Sequence, residues 1–500
     1  MLTANGGVVL KTITPEKSGV SSAKIQEYIE YLEENHISTH SIIMMRGDDI
    51  FFENYWKPFN ADFKHRMYSV SKSLVGLAVG FLEQDGLIDL DKEIQEYFPK
   101  ECKAQKDENM RRQTVRDMLM MSTAKQDRYW FSDKPADRVQ YYFEHLGSES
   151  RPGGLFFRYD STGSFVLGAL VERIVGKPFM EYLRDKMFRE IGVSDGAYCL
   201  KSPGGHSWGD SAVICTPRDM LKIARFTMNG GSWNGKQLLN RDYVTTATSK
   251  LIDNDYLNEG LSNNMGYGYL IWRTLDNSFF FNGMGSQLAI CVPDKDIIMM
   301  YNADTQGSDP TAREMIIQGF FRMIVRPAAD EALPEDAVAH KALLDYAESL
   351  ELFSAKGRKV SPLAEKIHGV TYAMGDNPMG ISKVRFDFTD EGGVLSYVNA
   401  QGDKQLPFGL CANVFGEFPQ DGYADEMACV PGNRRYACAA SAAWVDNTKL
   451  HLKVQIIDKY FGVLDAVFAF KGDCCSIVMN KTAEDFLSEY QGMATGFAVK

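Results

Sequence analysis

The sequence predicts an α+β protein: an antiparallel sheet flanked by helices, with a helical region inserted, and then a separate all-β, barrel-like domain at the C-terminal end. Three observations carry this. Apolar, β-rich runs occur early, around residues 41–56, and return around 278–304, with helical patterns between them. The Pro/Ala/acid-rich stretch Arg326 to Ala337 reads as a linker. Beyond it, short apolar runs recur at regular spacing, as in a sandwich or barrel. The expected domains are residues 1–326 and 338–500, joined by 327–337.

Taken in order, "SSAKIQEYIEYLEEN" (Ser21 to Asn35) is an amphipathic helix with a serine cap. "SIIMMRGDDIFFENYW" is a hairpin turning at Arg46 to Asp49. "RMYSVSKSLVGLAVGFLEQDG" becomes a helix that ends near Asp85-Gly86. From Asp89 to Gly231 the pattern is mostly helical. In "TPRDMLKIARFTMNGG", Thr216 caps, Pro217 opens the first turn, Asp219 faces the positive helix end and Gly230-Gly231 stop the helix. "SFFFNGMGSQLAICVPDKDIIMMYNAD" holds a second hairpin, turning at Pro293 to Asp296, and Thr311 to Val325 is a helix. Past the linker come a short helix near Lys341 to Leu350, five strand-like runs and a closing helix in "AEDFLSEYQG".

A chain of 500 residues exceeds one ordinary domain, and 45% hydrophobic with 24% charged residues is a globular composition. The net charge of −12 argues against nucleic acid or an anionic membrane as the main partner. The N-terminus lacks a basic start followed by an apolar core, so no secretory signal is expected. Nine scattered cysteines without CxxC spacing read as reduced thiols of a cytoplasmic protein. The eight histidines show no metal-ligand spacing, and no Gly-x-Ser-x-Gly elbow occurs.

The chemistry centres on Ser69 and Lys72. Three residues apart on a helix, they share a face. Ser69 falls at the helix N-terminus, where unpaired N–H groups and the dipole favour a developing anion. Lys72 precedes an unbroken apolar run, so a solvated lysine explains it poorly. It can hold or accept a proton, because burial disfavours its charge. The spacing alone is weak: Ser21/Lys24 and Ser122/Lys125 repeat it. A second element is Tyr159-Asp160-Ser161, placed on a loop before a helix (Phe165 to Val175). Tyr159 beside a lysine can take a proton from serine, and Ser161 can bond the same lysine. A core tyrosine with a capping serine is the alternative. A third is "FNGMGSQ" (Phe281 to Gln287), where an edge strand offers an N–H near Met284 as an oxyanion donor, or else a glycine bulge with no ligand. Tyr129, Trp130, His206 and Trp208 are candidate substrate contacts. An ordinary turn accounts equally well for "GGHSWGDS".

These three elements, in this order, resemble the serine β-lactamase and DD-peptidase superfamily, nearest to its esterase and 6-aminohexanoate-dimer hydrolase branch. "YSVSKSLVGLAVG", "FRYDSTGSFVLGALVERIVGKPF" and "FNGMGSQLAICVPDKDII" carry the resemblance, over roughly residues 15 to 325. It implies a β-lactamase-like fold, Ser69 as nucleophile, Lys72 as its activating partner, Tyr159 as general base and acid, and an oxyanion hole from the N–H groups of Ser69 and about Met284. Two departures stand out. Ser161 replaces the usual asparagine, and Asn282-Gly283-Met284 replaces a motif whose lysine or histidine receives a substrate carboxylate. Both fit the amidase and esterase side better than penicillin recognition. The expected activity is amide or ester hydrolysis of a small molecule or short peptide through an acyl-enzyme, without cofactor. A β-lactamase, a D-stereospecific peptidase and an idle binding protein are the rivals. The C-terminal domain resembles lipocalin-like tails of some relatives, and its role, including any in homo-oligomerisation, stays open.

Overall fold

The computed structural model describes residues 10–499, apart from 126–129, 131, 132, 134, 145–149, 258, 259, 309, 310 and 425–431. It divides into two compact units, Met1–Glu351 and Leu352–Lys500.

The first unit is built on a seven-stranded sheet. Its strands are β1 (Lys11–Thr12), β2 (Thr39–Arg46), β3 (Asp49–Tyr55), β4 (Trp272–Thr274), β5 (Ser278–Gly283), β6 (Gln287–Val292) and β7 (Ile297–Ala303). The order is β1-β3-β2-β7-β6-β5-β4. Early and late strands meet where β2 pairs antiparallel with β7, Met44 opposite Met299. Only the short β1–β3 pair is parallel. β5, β6 and β7 are buried at every position, so they read as continuous apolar runs rather than alternating ones.

Helices cover both faces. On one, Tyr28 of α1 (Ser22–Glu34) reaches Met299 of β7 and donates to the Ile316 carbonyl. On the other, Cys291 of β6 lies under a helix at Pro217–Met228. That helix has the expected capping box, with Thr216 Oγ1 accepting from the Asp219 N–H and the Asp219 carboxylate accepting from the Thr216 N–H. In α1 the serine cap is replaced. Ser21 makes no side-chain cap, and the buried Glu16 carboxylate accepts from the Ser22 N–H instead, at 2.7 Å.

The central helix α2 (Val70–Gln84) is buried from Val70 to Leu82. It packs against α3 (Ser161–Val175), which starts four residues earlier than the sequence suggests. Asp160 caps α3 by accepting from the Thr162 N–H, which draws Ser161 into the first turn.

The second unit is a closed barrel. Its strands are β8 (Thr371–Met374), β9 (Lys383–Phe388), β10 (Gly392–Asn399), β11 (Gly402–Leu410), β12 (Val414–Glu417), β13 (Ala437–Trp444), β14 (Lys449–Ile457), β15 (Phe461–Lys471), β16 (Cys474–Thr482) and β17 (Gly492–Ala498). Nine of them close the ring. β17 pairs with β8, and a short parallel contact, Gly409 opposite Ser441, joins β11 to β13. Alternate residues point inward, and Phe386, Phe408, Phe468 and Phe470 fill the interior. The closing segment is a short 3-10 turn, Ser488–Tyr490, followed by strand β17 rather than a helix.

Candidate active site

Ser69 stands at the N-terminus of α2 with helical backbone angles, and its hydroxyl makes no capping bond to the helix. Just before it, buried Tyr68 holds a left-handed φ of +45°. A bulky residue there is costly and persists where the surroundings impose it. Two serines of the first turn fasten this segment to its neighbours. Ser71 Oγ donates to the Tyr68 carbonyl at 2.6 Å and accepts from the Val213 N–H, and Ser73 Oγ donates to the Leu270 carbonyl.

Lys72 is 1% exposed. Its Nζ donates to Ser69 Oγ at 2.9 Å and to the Asp210 carbonyl at 2.6 Å. It also lies 5.0 Å from the centre of the Tyr159 ring. Tyr159 stacks on Trp272 of β4, with ring centres 5.5 Å apart. Ser69, Lys72 and Tyr159 therefore converge from two segments ninety residues apart. Of the two other Ser-x-x-Lys pairs, Lys24 pairs with Glu27 on the surface, and Ser122 donates to the Asp117 carbonyl.

The Phe281–Gln287 segment forms the end of β5 and the turn into β6. A side chain at Gly283 would sit 2.4 Å from the Met67 carbonyl. Only glycine lets this strand end lie against the backbone leading into Ser69. Asn282 is buried, and its Oδ1 has no hydrogen-bond partner among the described residues. Met284 is exposed in the turn.

The remaining candidates lie behind or beside this centre. Ser161 is half-buried in the first turn of α3, and the expected bond to Lys72 is not formed: the Lys72 bonds go to Ser69 and Asp210. His206 Nδ1 pairs with the Glu172 carboxylate at 3.1 Å, where hydrogen bonds from His206, Ser207 and Phe179 hold the Glu172 carboxyl below its ordinary range against the effect of burial. Trp208 is buried beneath the Arg66 and Arg138 guanidiniums. Trp130 is buried too, and its Nε1 donates to Asp210 Oδ2 at 3.3 Å. Tyr129 lies outside the described residues.

Sequence reasoning missed Asp210 and Arg138. The "GGHSWGDS" loop was the available signal for the first. Its Gly209 shows why the loop reaches the site: a side chain there would meet Val75 of α2 at 2.9 Å, so the bare backbone brings the next carbonyl onto Lys72.

A central helix presenting a serine and a buried lysine, beside an antiparallel sheet and a tyrosine-bearing loop, is the arrangement of the serine β-lactamase class. The comparisons agree. The Beta-lactamase family model matches residues 24–320, and the chain belongs to that family. The 6-aminohexanoate-dimer hydrolase of Paenarthrobacter ureafaciens is 26% identical over 238 residues, 45% of this chain and 60% of that protein. The chain thus matches less than two thirds of that relative's length. Among solved structures, a Bacillus anthracis protein provisionally described as a 6-aminohexanoate-dimer hydrolase superposes with a TM-score of 0.55 at 17% identity, covering 67% of this chain and 91% of its own. An octameric penicillin-binding protein homologue from Pyrococcus abyssi aligns over 94% of this chain and 99% of its own, at 13% identity and a TM-score of 0.49.

Proposed function

We propose that the protein is a serine hydrolase that cleaves an amide or ester bond of a small molecule or short peptide through an acyl-enzyme on Ser69. The observation that carries this is the 2.9 Å bond from Lys72 Nζ to Ser69 Oγ, made inside the protein at a helix N-terminus, with Tyr159 against the same ammonium.

In this reading Ser69 attacks the substrate carbonyl and its proton passes to Tyr159. Lys72 steadies the charge on both oxygens. The negative oxygen of the tetrahedral intermediate points to the Ser69 N–H and to an N–H at the end of β5, about Met284. Tyr159 then returns the proton to the leaving group, and water releases the acid by the same steps in reverse. The absence of a lysine or histidine at Asn282-Gly283-Met284 favours substrates without an essential carboxylate. The Paenarthrobacter relative, named as a hydrolase of 6-aminohexanoate dimer, supports a small-molecule substrate.

The test is labelling with a fluorophosphonate, followed by peptide mapping. An adduct on Ser69 that is absent in Ser69→Ala is the expected result. No adduct, or one on Ser21 or Ser122, overturns the mechanism.

A further inference from the structure

Asp210 lies one residue beyond the Gly209 contact, and both its ends engage the site. Its carbonyl accepts from Lys72 Nζ at 2.6 Å. Its carboxylate is completely buried. Oδ2 accepts from Trp130 Nε1 at 3.3 Å, and Oδ1 has no hydrogen-bond partner among the described residues. Behind it, Arg138 is equally buried, its guanidinium 4.6 Å from the centre of the Trp130 ring and 5.1 Å from that of Trp208. Arg138 is tied to the Trp130 carbonyl at 2.6 Å, and Trp130 thereby links the guanidinium to the carboxylate.

We infer that Asp210 is a positioning residue for Lys72: its carbonyl aims the ammonium at Ser69, and its buried carboxylate supplies the negative charge that keeps Lys72 protonated inside the protein. The inference rests on the hydrolase reading for its kinetic consequence, and on the geometry alone for the charge of Lys72. A buried lysine without a neighbouring anion loses its proton, because burial penalises the charged form. A buried carboxylate is likewise costly unless cations face it. Burial holds the Asp210 carboxyl above its ordinary range, and the charges of Lys72 and Arg138 with the Trp130 bond offset part of that rise.

The other charged or titratable groups around Lys72 do not substitute for Asp210. Tyr159 is the group that receives the Ser69 proton in the hydrolase reading. Asp160, beside it in sequence, is turned to Thr123 and Thr162. Arg66 donates to Ser211, and Glu172 is committed to His206. Cys199 is held as a thiol by burial. On the helices packed against α2, Tyr243 donates to the Gly76 carbonyl and Tyr182 to Asp85, both further along α2 than Lys72. β5 contributes no ionisable side chain.

The direction of the effect follows from charge. Removing a negative neighbour makes every proton on the Lys72–Tyr159 pair easier to lose. Both limbs of the pH profile for acylation therefore move to lower pH. One opposite charge at close range is worth about one pH unit or more.

The experiment compares wild type with Asp210→Asn and Asp210→Ser, which both remove the charge and keep the backbone carbonyl. The rate of fluorophosphonate labelling of Ser69 is measured from pH 5 to 10, with circular dichroism as the check on folding. In parallel, lysine ¹³Cε NMR, with Lys72 assigned from Lys72→Arg, follows its protonation directly. The expected result is an ammonium at Lys72 in wild type at pH 7.5 and a shift of both limbs by about one pH unit to the acid side in either folded variant. Superimposable profiles, or a neutral Lys72 in wild type, overturn the inference. The wild-type NMR titration decides even where neither variant folds. Failure of wild type to label on Ser69 strikes the hydrolase reading, and the NMR titration then judges Asp210 separately.

Discussion

Tyr159 is held from two sides, by Trp272 stacked on its ring and by Lys72 Nζ 5.0 Å from its centre. A residue kept only for packing would need the ring and not the hydroxyl. Tyr159→Phe separates the two. The variant keeps the stack on Trp272 and is expected to melt near wild type, while Ser69 labelling slows about 10²- to 10⁴-fold, the ordinary contribution of a general base. Labelling at the wild-type rate would remove Tyr159 from the mechanism. The residues of this centre differ in how legible they are. Ser69 and Lys72 share one turn of one helix, so spacing and the apolar run behind them suffice to pick them out. Asp210 and Arg138 come from separate segments: the glycine-rich "GGHSWGDS" loop is the one local signal for the first, and nothing local marks the second. Asp210 meets Lys72 because Gly209 presses against Val75, and Trp130 in turn links Arg138 to Asp210.

At the scale of elements, the site depends on how closely the end of β5 approaches the start of α2. Gly283 sets that approach, with the Met67 carbonyl 2.4 Å from where a methyl group would stand. Gly283→Ala must push the two apart by several tenths of an ångström. Overpacking of this kind costs about 1–3 kcal/mol. The expected outcome is a modest drop in melting temperature and a larger loss of labelling rate, since the displaced strand carries the N–H proposed as the second oxyanion donor. Equal labelling by a folded Gly283→Ala protein would show that the strand end does not serve the reaction. The helices and both hairpins of this unit are legible because capping residues, turn residues and periodicity agree there. The start of α3 is not. A sequence reader sees Tyr-Asp-Ser as a loop, whereas the Asp160 carboxylate satisfies the Thr162 N–H and extends the helix back to Ser161. β17 escapes notice for a different reason: Gly492 and Gly496 dilute its alternation, and only pairing with β8 and β16 makes it a strand.

For the whole molecule, the α+β order is readable because strands at both ends of the first unit share one pattern, and β2 meets β7 across 250 residues of sequence. Closure of the barrel is not readable, since alternation says which face of a strand is buried and nothing about which strand comes next. Global stability carries a further signature. His40 of β2 and His65, just ahead of Ser69, are both buried, with ring centres 5.5 Å apart and Phe59 stacked on His40. Burial lowers the proton affinity of both, taking His65 down to about 3, and the positive charge of one opposes that of the other at His40. In the unfolded chain each titrates near 6.5. Between these values the unfolded state holds protons that the native state refuses. Stability is therefore complete above about pH 6.5 and falls as the pH drops towards 3, each histidine contributing about 1.4 kcal/mol per pH unit across its window. The buried carboxyls of Asp160 and Asp210, raised by burial, act in the opposite sense at lower pH, because their unfolded forms ionise first. Of these groups the histidines alone lower stability as the pH falls from 6.5, since the two carboxyls act in the opposite sense. Urea midpoints followed by near-ultraviolet circular dichroism at pH 7.5, 6.5 and 5.5 should change little over the first step and fall over the second in wild type. His65→Phe, which keeps a ring of similar size and removes the titration, should flatten that fall by about one proton's worth. An identical acid slope in the variant would mean that the loss arises elsewhere and that His65 is not refused its proton by the fold.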